Sequence, residues 1–133
     1  MAQRDEWKVV ARPDESPESY ALALRQAEAA CRLAPDNGMF INTLGVALYR
    51  NSRFQEALDS LTRSDNINSA AIGGRHPEDI SFLGMVHSKL DHKEKAHTLL
   101  NQLRQVMNQP TWSGNAEAQG FLREARELIE GKR

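Results

Sequence analysis

The segment LGVALYRNSRFQEAL, residues 44–58, carries the pattern that decides the fold. Its apolar residues recur at the three- and four-residue spacing of helices, and a polar turn, Asn51 to Arg53, divides the segment in two. Gly45 lies inside the first helical stretch, where a glycine costs about 1 kcal/mol relative to alanine. We therefore expect a close helix–helix contact at Gly45 that offsets this cost.

The rest of the chain also has helical patterns. Ser16, Pro17 and Glu18 have the order of an N-cap, a proline at the first helical position and an acid in the first turn. Pro35 ends that helix, and a last helix begins near Asn115 and ends at Gly131. Further helices are predicted over residues 39–50, 54–66, 78–90 and 93–108. No segment has a strand pattern, so the predicted fold class is all-α.

The sequence repeats itself at a spacing of 39 residues. Each copy has a Leu-Gly pair, an alanine after eleven intervening residues, and a leucine four positions beyond the alanine. The two copies consist of Leu44, Gly45, Ala57 and Leu61, and of Leu83, Gly84, Ala96 and Leu100. Ala23 and Ala27, 34 residues before Ala57 and Leu61, mark an earlier copy that Pro35 closes. This pattern predicts three copies of one helix pair.

These positions resemble the tetratricopeptide repeat, whose pattern W-x2-L-G-x2-Y, A-x3-F and P recurs about every 34 residues. The match covers about residues 17–108. The chain departs from the family at the tyrosine position, which is Leu48 or His87, and in its longer second spacing, which places extra residues in the 70–76 loop. The resemblance implies a right-handed superhelical stack of antiparallel helix pairs with a C-terminal capping helix. Similar short arrays are appended to larger bacterial proteins, including kinase-like ones.

The resemblance also divides the chain into segments. We expect a linker or broken first helix in residues 1–15, helical repeats in residues 16–109, and a capping helix of the same domain in residues 110–133. Trp7 falls on the family's tryptophan position, but Pro13 interrupts the helix that should follow. Trp112 is expected to fix the last helix to the stack.

Small residues face each other within a helix pair of this family. The resemblance therefore implies that Gly45 lies against Ala57 and Gly84 against Ala96, with the helix axes closer than the usual 8–10 Å. The residues expected to pack inside the repeats are Leu44, Gly45, Ala57, Leu61, Leu83, Gly84, Ala96 and Leu100.

The first helix of each pair lines a concave groove in the family, where outward side chains can contact a partner. We therefore expect a non-catalytic protein–protein interaction module that binds a peptide or protein segment. The candidate groove residues are Met39, Asn42, Val46, Tyr49, Arg50, Glu78, Ser81, Met85, Ser88 and Lys89. In some members of the family, basic and amide side chains on the groove helices bind the C-terminal carboxylates of chaperones. Thr43, Glu78 and Phe82 occupy three of those positions in this chain, so this role is not expected.

The composition argues against other classes of partner. A formal net charge of -1 gives no general attraction to nucleic acid or to an anionic membrane. Cys31 is the only cysteine, which excludes an intrachain disulfide and fits the reducing cytoplasm. No segment approaches the roughly 18 apolar residues that a spanning helix needs. We expect a cytoplasmic monomer, with a homodimer as the alternative.

The sequence predicts no catalytic residue, cofactor or metal site. His87, His92 and His97 follow each other at five-residue steps, about 140° apart on a helix, and a turn at residues 91–92 interrupts them, so their rings are not expected to share a face. Cys31 lies on an alanine-rich face and reads as a packing residue. The Gly73-Gly74-Arg75 sequence is interpreted as an inserted connecting loop, with an anion site at the start of the next helix as the alternative.

Other functions stay open beside peptide binding. A truncated array would expose an apolar edge around Tyr20 and Leu24, which favours self-association. A small enzyme or anion-responsive regulator would use the loop of residues 73–78. The chain is also interpretable as an accessory docking segment of a larger regulatory, kinase-like protein.

Overall fold

The computed structural model describes residues 5–131, and this part of the chain is helical without any strand. The all-α prediction is therefore confirmed. The helices are α1 (Asp5–Val10), α2 (Pro17–Leu33), α3 (Gly38–Arg50), α4 (Phe54–Ile72), α5 (Pro77–Lys89), α6 (Lys93–Met107), α7 (Pro110–Ser113) and α8 (Ala116–Glu130).

Short polar side chains begin three of the long helices. The Ser16 hydroxyl accepts a hydrogen bond from the Ser19 N–H at 3.1 Å, before Pro17 starts α2. The carboxamide oxygens of Asn37 and Asn115 cap α3 and α8 in the same way. Each cap satisfies a backbone N–H that has no partner inside its own helix. The sequence located these starts to within a residue or two.

Helix α4 is longer than the sequence predicted, because it continues beyond residue 66 to Ile72. No glycine or proline occurs between those positions to stop it. Gly73, which directly follows α4, takes the left-handed conformation, with φ 72°, and its N–H donates to the Ser69 carbonyl. The helix therefore ends at the first residue for which that conformation carries no steric penalty.

The α3–α4 and α5–α6 turns have the same backbone structure. Ser52 and Asp91 are both left-handed, with φ 62° and 65°, and lie 39 residues apart. One residue further on, the N–H of Arg53 bonds the Leu48 carbonyl at 2.9 Å, and the N–H of His92 bonds the His87 carbonyl at 2.8 Å. This is the Schellman motif that often ends a helix. The sequence repeat is therefore also a repeat of local structure. 

The helices pack mainly on their neighbours in the chain. Helix α3 lies on α2 and α4, α5 lies on α4 and α6, and α8 returns to lie on α5 and α6. The short helix α1 lies on α2 and α3. Ala57, Leu61, Ala96 and Leu100 are buried at these contacts, as predicted.

The close contact at Gly45 exists, but its partner is Leu61 rather than the predicted Ala57. A Cβ added at Gly45 would lie 2.6 Å from Leu61 Cγ and 3.3 Å from the Leu61 backbone nitrogen. Gly84 is less confined, because an added Cβ would meet Ile129 Cδ1 at 3.4 Å, Leu99 Cβ at 3.5 Å and the Ala96 oxygen at 3.8 Å. Of these two glycines, only Gly45 is required by the packing of its neighbours.

The two glycines should respond oppositely to alanine. We expect Gly45→Ala to destabilise the protein by about 1–3 kcal/mol, because the new methyl group overlaps the fully buried Leu61. Gly84→Ala should stabilise it by up to about 1 kcal/mol, because alanine has the better helix propensity and its Cβ makes ordinary contacts. Urea unfolding measures both. Equal effects of the two variants would contradict this account of the helix contacts.

Candidate functional site

The ten candidate groove residues do not form an open surface. The sequence predicted all ten to be exposed, and for five of them this is wrong. The buried residues are Asn42, Val46, Tyr49, Ser81 and Met85. Partly buried are Met39, Arg50, Glu78 and Ser88, while Lys89 is exposed. Half of the candidate positions therefore lie inside the core, and only those near helix ends reach the surface.

Helices α1 and α8 cover this face of α3 and α5. The Phe121 ring of α8 packs edge-to-face on Phe82 of α5 at 5.3 Å and on Trp7 of α1 at 5.8 Å. The Trp7 indole N–H donates to Glu117 of α8 at 3.1 Å. Helix α8, which the sequence predicted to close one end of a stack, thus covers with its apolar side the face on which a groove was expected.

Arg50 is the polar centre of this covered face. Its Nε donates to the Val10 carbonyl at 2.7 Å and its Nη2 to the Ala11 carbonyl at 3.3 Å, at the end of α1. Two further bonds, of 2.5 and 3.0 Å, join its guanidinium to both carboxylate oxygens of Glu124 on α8. The Arg50 side chain is only 6% exposed. One cation of α3 therefore connects three helices.

Aromatic rings surround the same guanidinium. The Arg50 Cζ lies 5.2 Å from the centre of the Phe82 ring, 5.6 Å from Tyr49 and 6.0 Å from Tyr20, within the range of cation–π attraction. Burial and the neighbouring Glu124 charge raise the pKa of the Tyr49 hydroxyl. Arg50 is thus held by internal partners, and its assignment to a ligand groove has no support in its contacts.

A second polar cluster is buried near the start of α3. Asp79 accepts hydrogen bonds from Ser64 at 2.6 Å, Asn42 at 2.8 Å and Asn68 at 3.0 Å. Gly38 makes room for this cluster, since an added Cβ would lie 2.1 Å from Asn68 Oδ1. The cluster joins α3, α4 and α5 through buried side chains, which favours a structural role.

One small pocket remains at the edge of the covered face, between the starts of α3, α5 and α8. Its volume is about 180 Å³. Its apolar lining is Met39, Pro77, Trp112, Ala118 and Phe121, and its polar lining is His76, Glu78, Asn115 and Glu117. Two predicted groove residues, Met39 and Glu78, therefore do reach an opening. Trp112 packs against the core and its ring also contacts His76 at 5.7 Å.

A wider cleft of about 530 Å³ lies between α1 and α8. It adjoins the small pocket, because Glu117 and Phe121 line both. Its charged lining is mixed, with Lys8, Arg12 and Arg123 beside Glu117, Glu124 and Glu127. This mixture gives the cleft no preference for either sign of charge, unlike the small pocket, where carboxylates predominate.

Three other sequence features can now be placed. The Cys31 thiol donates to the Phe40 carbonyl, and burial raises its pKa, so it is a poor nucleophile. Arg75 is bound to Asp65 at 2.7 Å and to Gln102 at 2.8 Å, which leaves the glycine loop without a cation directed at an anion. His87 and His92 are in contact, so the prediction that they do not share a face is wrong.

Comparisons with known proteins give no match: none of the protein-family models fits the chain, and the search of curated proteins finds none similar to it. Within residues 5–131, no helix has the length and apolarity to cross a membrane. The same residues contain no group of three or more histidine, cysteine or acidic side chains that could hold a metal ion.

We expect Arg50→Met to destabilise the protein by about 3 kcal/mol, because it leaves Glu124 partly buried without its cation and the carbonyls of α1 without a donor. Arg53→Met is a matched control, since the Arg53–Glu56 pair is exposed and should contribute nothing measurable. Urea unfolding gives the free energies. A loss of stability in both variants, or in neither, would contradict the assigned role.

The Asp79 cluster should make stability depend on pH. Burial raises the pKa of Asp79 by more than its hydrogen bonds with Ser64, Asn68 and Asn42 lower it, so the net shift is upward. The folded state therefore holds the proton more tightly than the unfolded state, so the contribution of Asp79 to stability falls as pH rises from about 4 towards 7. We expect the unfolding free energy of the wild type, relative to Asp79→Asn, to decrease over this range. An increase with pH in the unfolding free energy of the wild type relative to Asp79→Asn would contradict the raised pKa of Asp79.

Proposed function

We propose that the protein is a non-catalytic protein-interaction module built as a tetratricopeptide-like stack of antiparallel helix pairs. The equivalent Schellman turns at Ser52 and Asp91 support this architecture, because they recur at the 39-residue spacing of the sequence repeat. In this proposal α8 is the capping helix and α1 the shortened first helix of the array. The right-handed superhelix is part of the same proposal.

The binding site in this proposal is the small pocket between the starts of α3, α5 and α8. Its occupant is a lysine or arginine side chain of a protein segment. The observation that carries this assignment is the combination of an apolar lining with the carboxylates of Glu78 and Glu117. An aliphatic stem would lie on Met39 and Phe121, and the cationic head would meet the carboxylates.

The size of the pocket supports a side chain over a metabolite. Small-molecule sites commonly occupy about 300–1,000 Å³, whereas this pocket measures about 180 Å³. Trp112 lines the pocket, and a tryptophan ring is the best aromatic partner for a cation. Tryptophan is among the residue types that carry much of the binding energy at protein interfaces. A protein partner, with no cofactor and no catalysis, is the simplest occupant.

Self-association is the second candidate, through a surface other than the one predicted. Tyr20 and Leu24 are buried, so the predicted apolar edge is not exposed there. Leu22 and Leu33 of α2 are instead 49% and 88% exposed, and their spacing of eleven residues places them on one face of the helix. As an accessory docking segment, the protein would contact a larger regulatory chain either through the pocket or through the face of α2 that carries Leu22 and Leu33.

The peptide proposal is tested with capped heptapeptide libraries whose central residue is arginine, lysine, alanine or glutamate. We expect the arginine and lysine libraries to bind at least about tenfold more tightly than the glutamate library, measured by fluorescence anisotropy. Glu78→Gln should weaken binding of the basic libraries about fivefold, since it removes one carboxylate from the pocket. Trp112→Ala should weaken binding of the basic libraries more than Glu78→Gln does.

Glu94→Gln is the control, because Glu94 is exposed in the first turn of α6 and does not line the pocket. Thermal unfolding of each variant separates a loss of binding from a loss of fold. Equal binding of basic and acidic libraries would refute the site. A wild type that dimerises, and becomes monomeric in Leu33→Glu, would favour self-association.

A further inference from the structure

Helix α1 begins on the side of the molecule where the peptide pocket opens. At the other end of α1, the Val10 carbonyl accepts a hydrogen bond from Arg50, the last residue of α3. One turn earlier, the Trp7 indole N–H donates to Glu117 at 3.1 Å, and the Trp7 ring packs on Phe121. Glu117 and Phe121 both line the pocket. Helix α1 therefore runs from the pocket side towards the end of α3.

The residue that directly precedes α1 is an arginine. Residues 1–4 lie outside the described part of the chain, and their sequence, Met-Ala-Gln-Arg, has Arg4 as its only charged residue. Covalent geometry keeps the Cα of Arg4 within about 11 Å of the Cα of Trp7. We propose that Arg4 occupies the peptide pocket of its own chain, so that the basic residue of a partner must displace it. This inference rests on the proposed function of the pocket.

The chemistry of the pocket suits an arginine of the same chain. The carboxylates of Glu78 and Glu117 line the pocket, and a guanidinium can donate two parallel hydrogen bonds to one carboxylate. Met39 and Phe121 offer an apolar contact to the aliphatic stem of the side chain. Arg4 therefore has the same charge and the same amphipathic shape as the ligand proposed above.

Attachment to the same chain favours Arg4 over a free ligand. A single anchor buries little surface, so the affinity of the pocket for one side chain of a free peptide is modest. A group joined to its site by a short linker has an effective concentration in the millimolar range. The apparent affinity for a partner then falls in proportion to the fraction of molecules whose pocket is open. Removing the arginine therefore offers a test with a gain of affinity as its outcome.

Fluorescence anisotropy of the full chain with the arginine-centred heptapeptide library tests the proposal. We expect Arg4→Gln to bind this library at least about threefold more tightly than the wild type, because its pocket is open. Arg25→Gln is the matched control, since Arg25 is exposed on α2 and lines neither the pocket nor the wider cleft. Wild-type affinity in Arg4→Gln, with binding still weakened by Glu78→Gln, would refute occupation by Arg4 but not the peptide site.

A thermal double-mutant cycle tests the contact without any peptide. Arg4→Gln should lower the melting temperature of the wild type by about 2 °C, because it removes an ion pair, and should lower that of Glu78→Gln by less.

Equal lowering in the two backgrounds would refute the contact between Arg4 and the pocket. A melting temperature that rises with protein concentration in the wild type, but not in Arg4→Gln, would place the arginine in the pocket of a second copy and would also refute it. If no variant binds the peptide library, the peptide site fails, and the thermal cycle decides whether Arg4 contacts Glu78.

Discussion

The placement of α1 and α8 depends on one buried cation. An arginine cannot lose its proton in a protein, so burying Arg50 requires acceptors on every side. The end of α1 supplies two carbonyls that its own helix leaves unpaired, and Glu124 of α8 supplies a carboxylate. These partners come from helices at opposite ends of the chain. An arrangement that moves either helix away breaks these hydrogen bonds and exposes apolar side chains such as Phe82 that the two helices cover, which disfavours alternative packings.

Helix α3 is constrained at both of its ends by polar contacts and in the middle by shape. Near its start, Asn42 bonds Asp79 across to α5, and at its last residue Arg50 bonds α1 and α8. Between them, Gly45 allows Leu61 of α4 to approach the backbone. These contacts use the side chains that would otherwise line a groove. What is left for a ligand is the edge of the face, where α3 and α5 begin.

The local features of the sequence predicted more of the structure than the long-range ones. Caps and prolines such as Ser16 and Pro17 act within a few residues, so helix starts could be read directly. The burial of the groove face could not, because it depends on contacts such as Trp7 with Glu117, 110 residues apart. The His87–His92 contact was missed for another reason: the sequence indicated a turn at residues 91–92 but not the left-handed conformation of Asp91, with which the two rings meet. A non-glycine residue such as Asp91 gives little indication in the sequence of a left-handed conformation, but the equivalent turn at Ser52 could have indicated this conformation.

Closure of the face changes the kind of recognition that the proposed module can perform. An open groove binds an extended peptide through many contacts, whereas a pocket of about 180 Å³ takes one side chain. A single anchor buries little surface, so its affinity alone would be modest. The wider cleft between α1 and α8 adjoins the pocket, because Glu117 and Phe121 line both. In the proposed function, a segment anchored by its basic residue would therefore run along this cleft. Selectivity would then come from the pocket, and most of the affinity from the residues that follow, beside a cleft wall that the Arg50–Glu124 pair keeps in place.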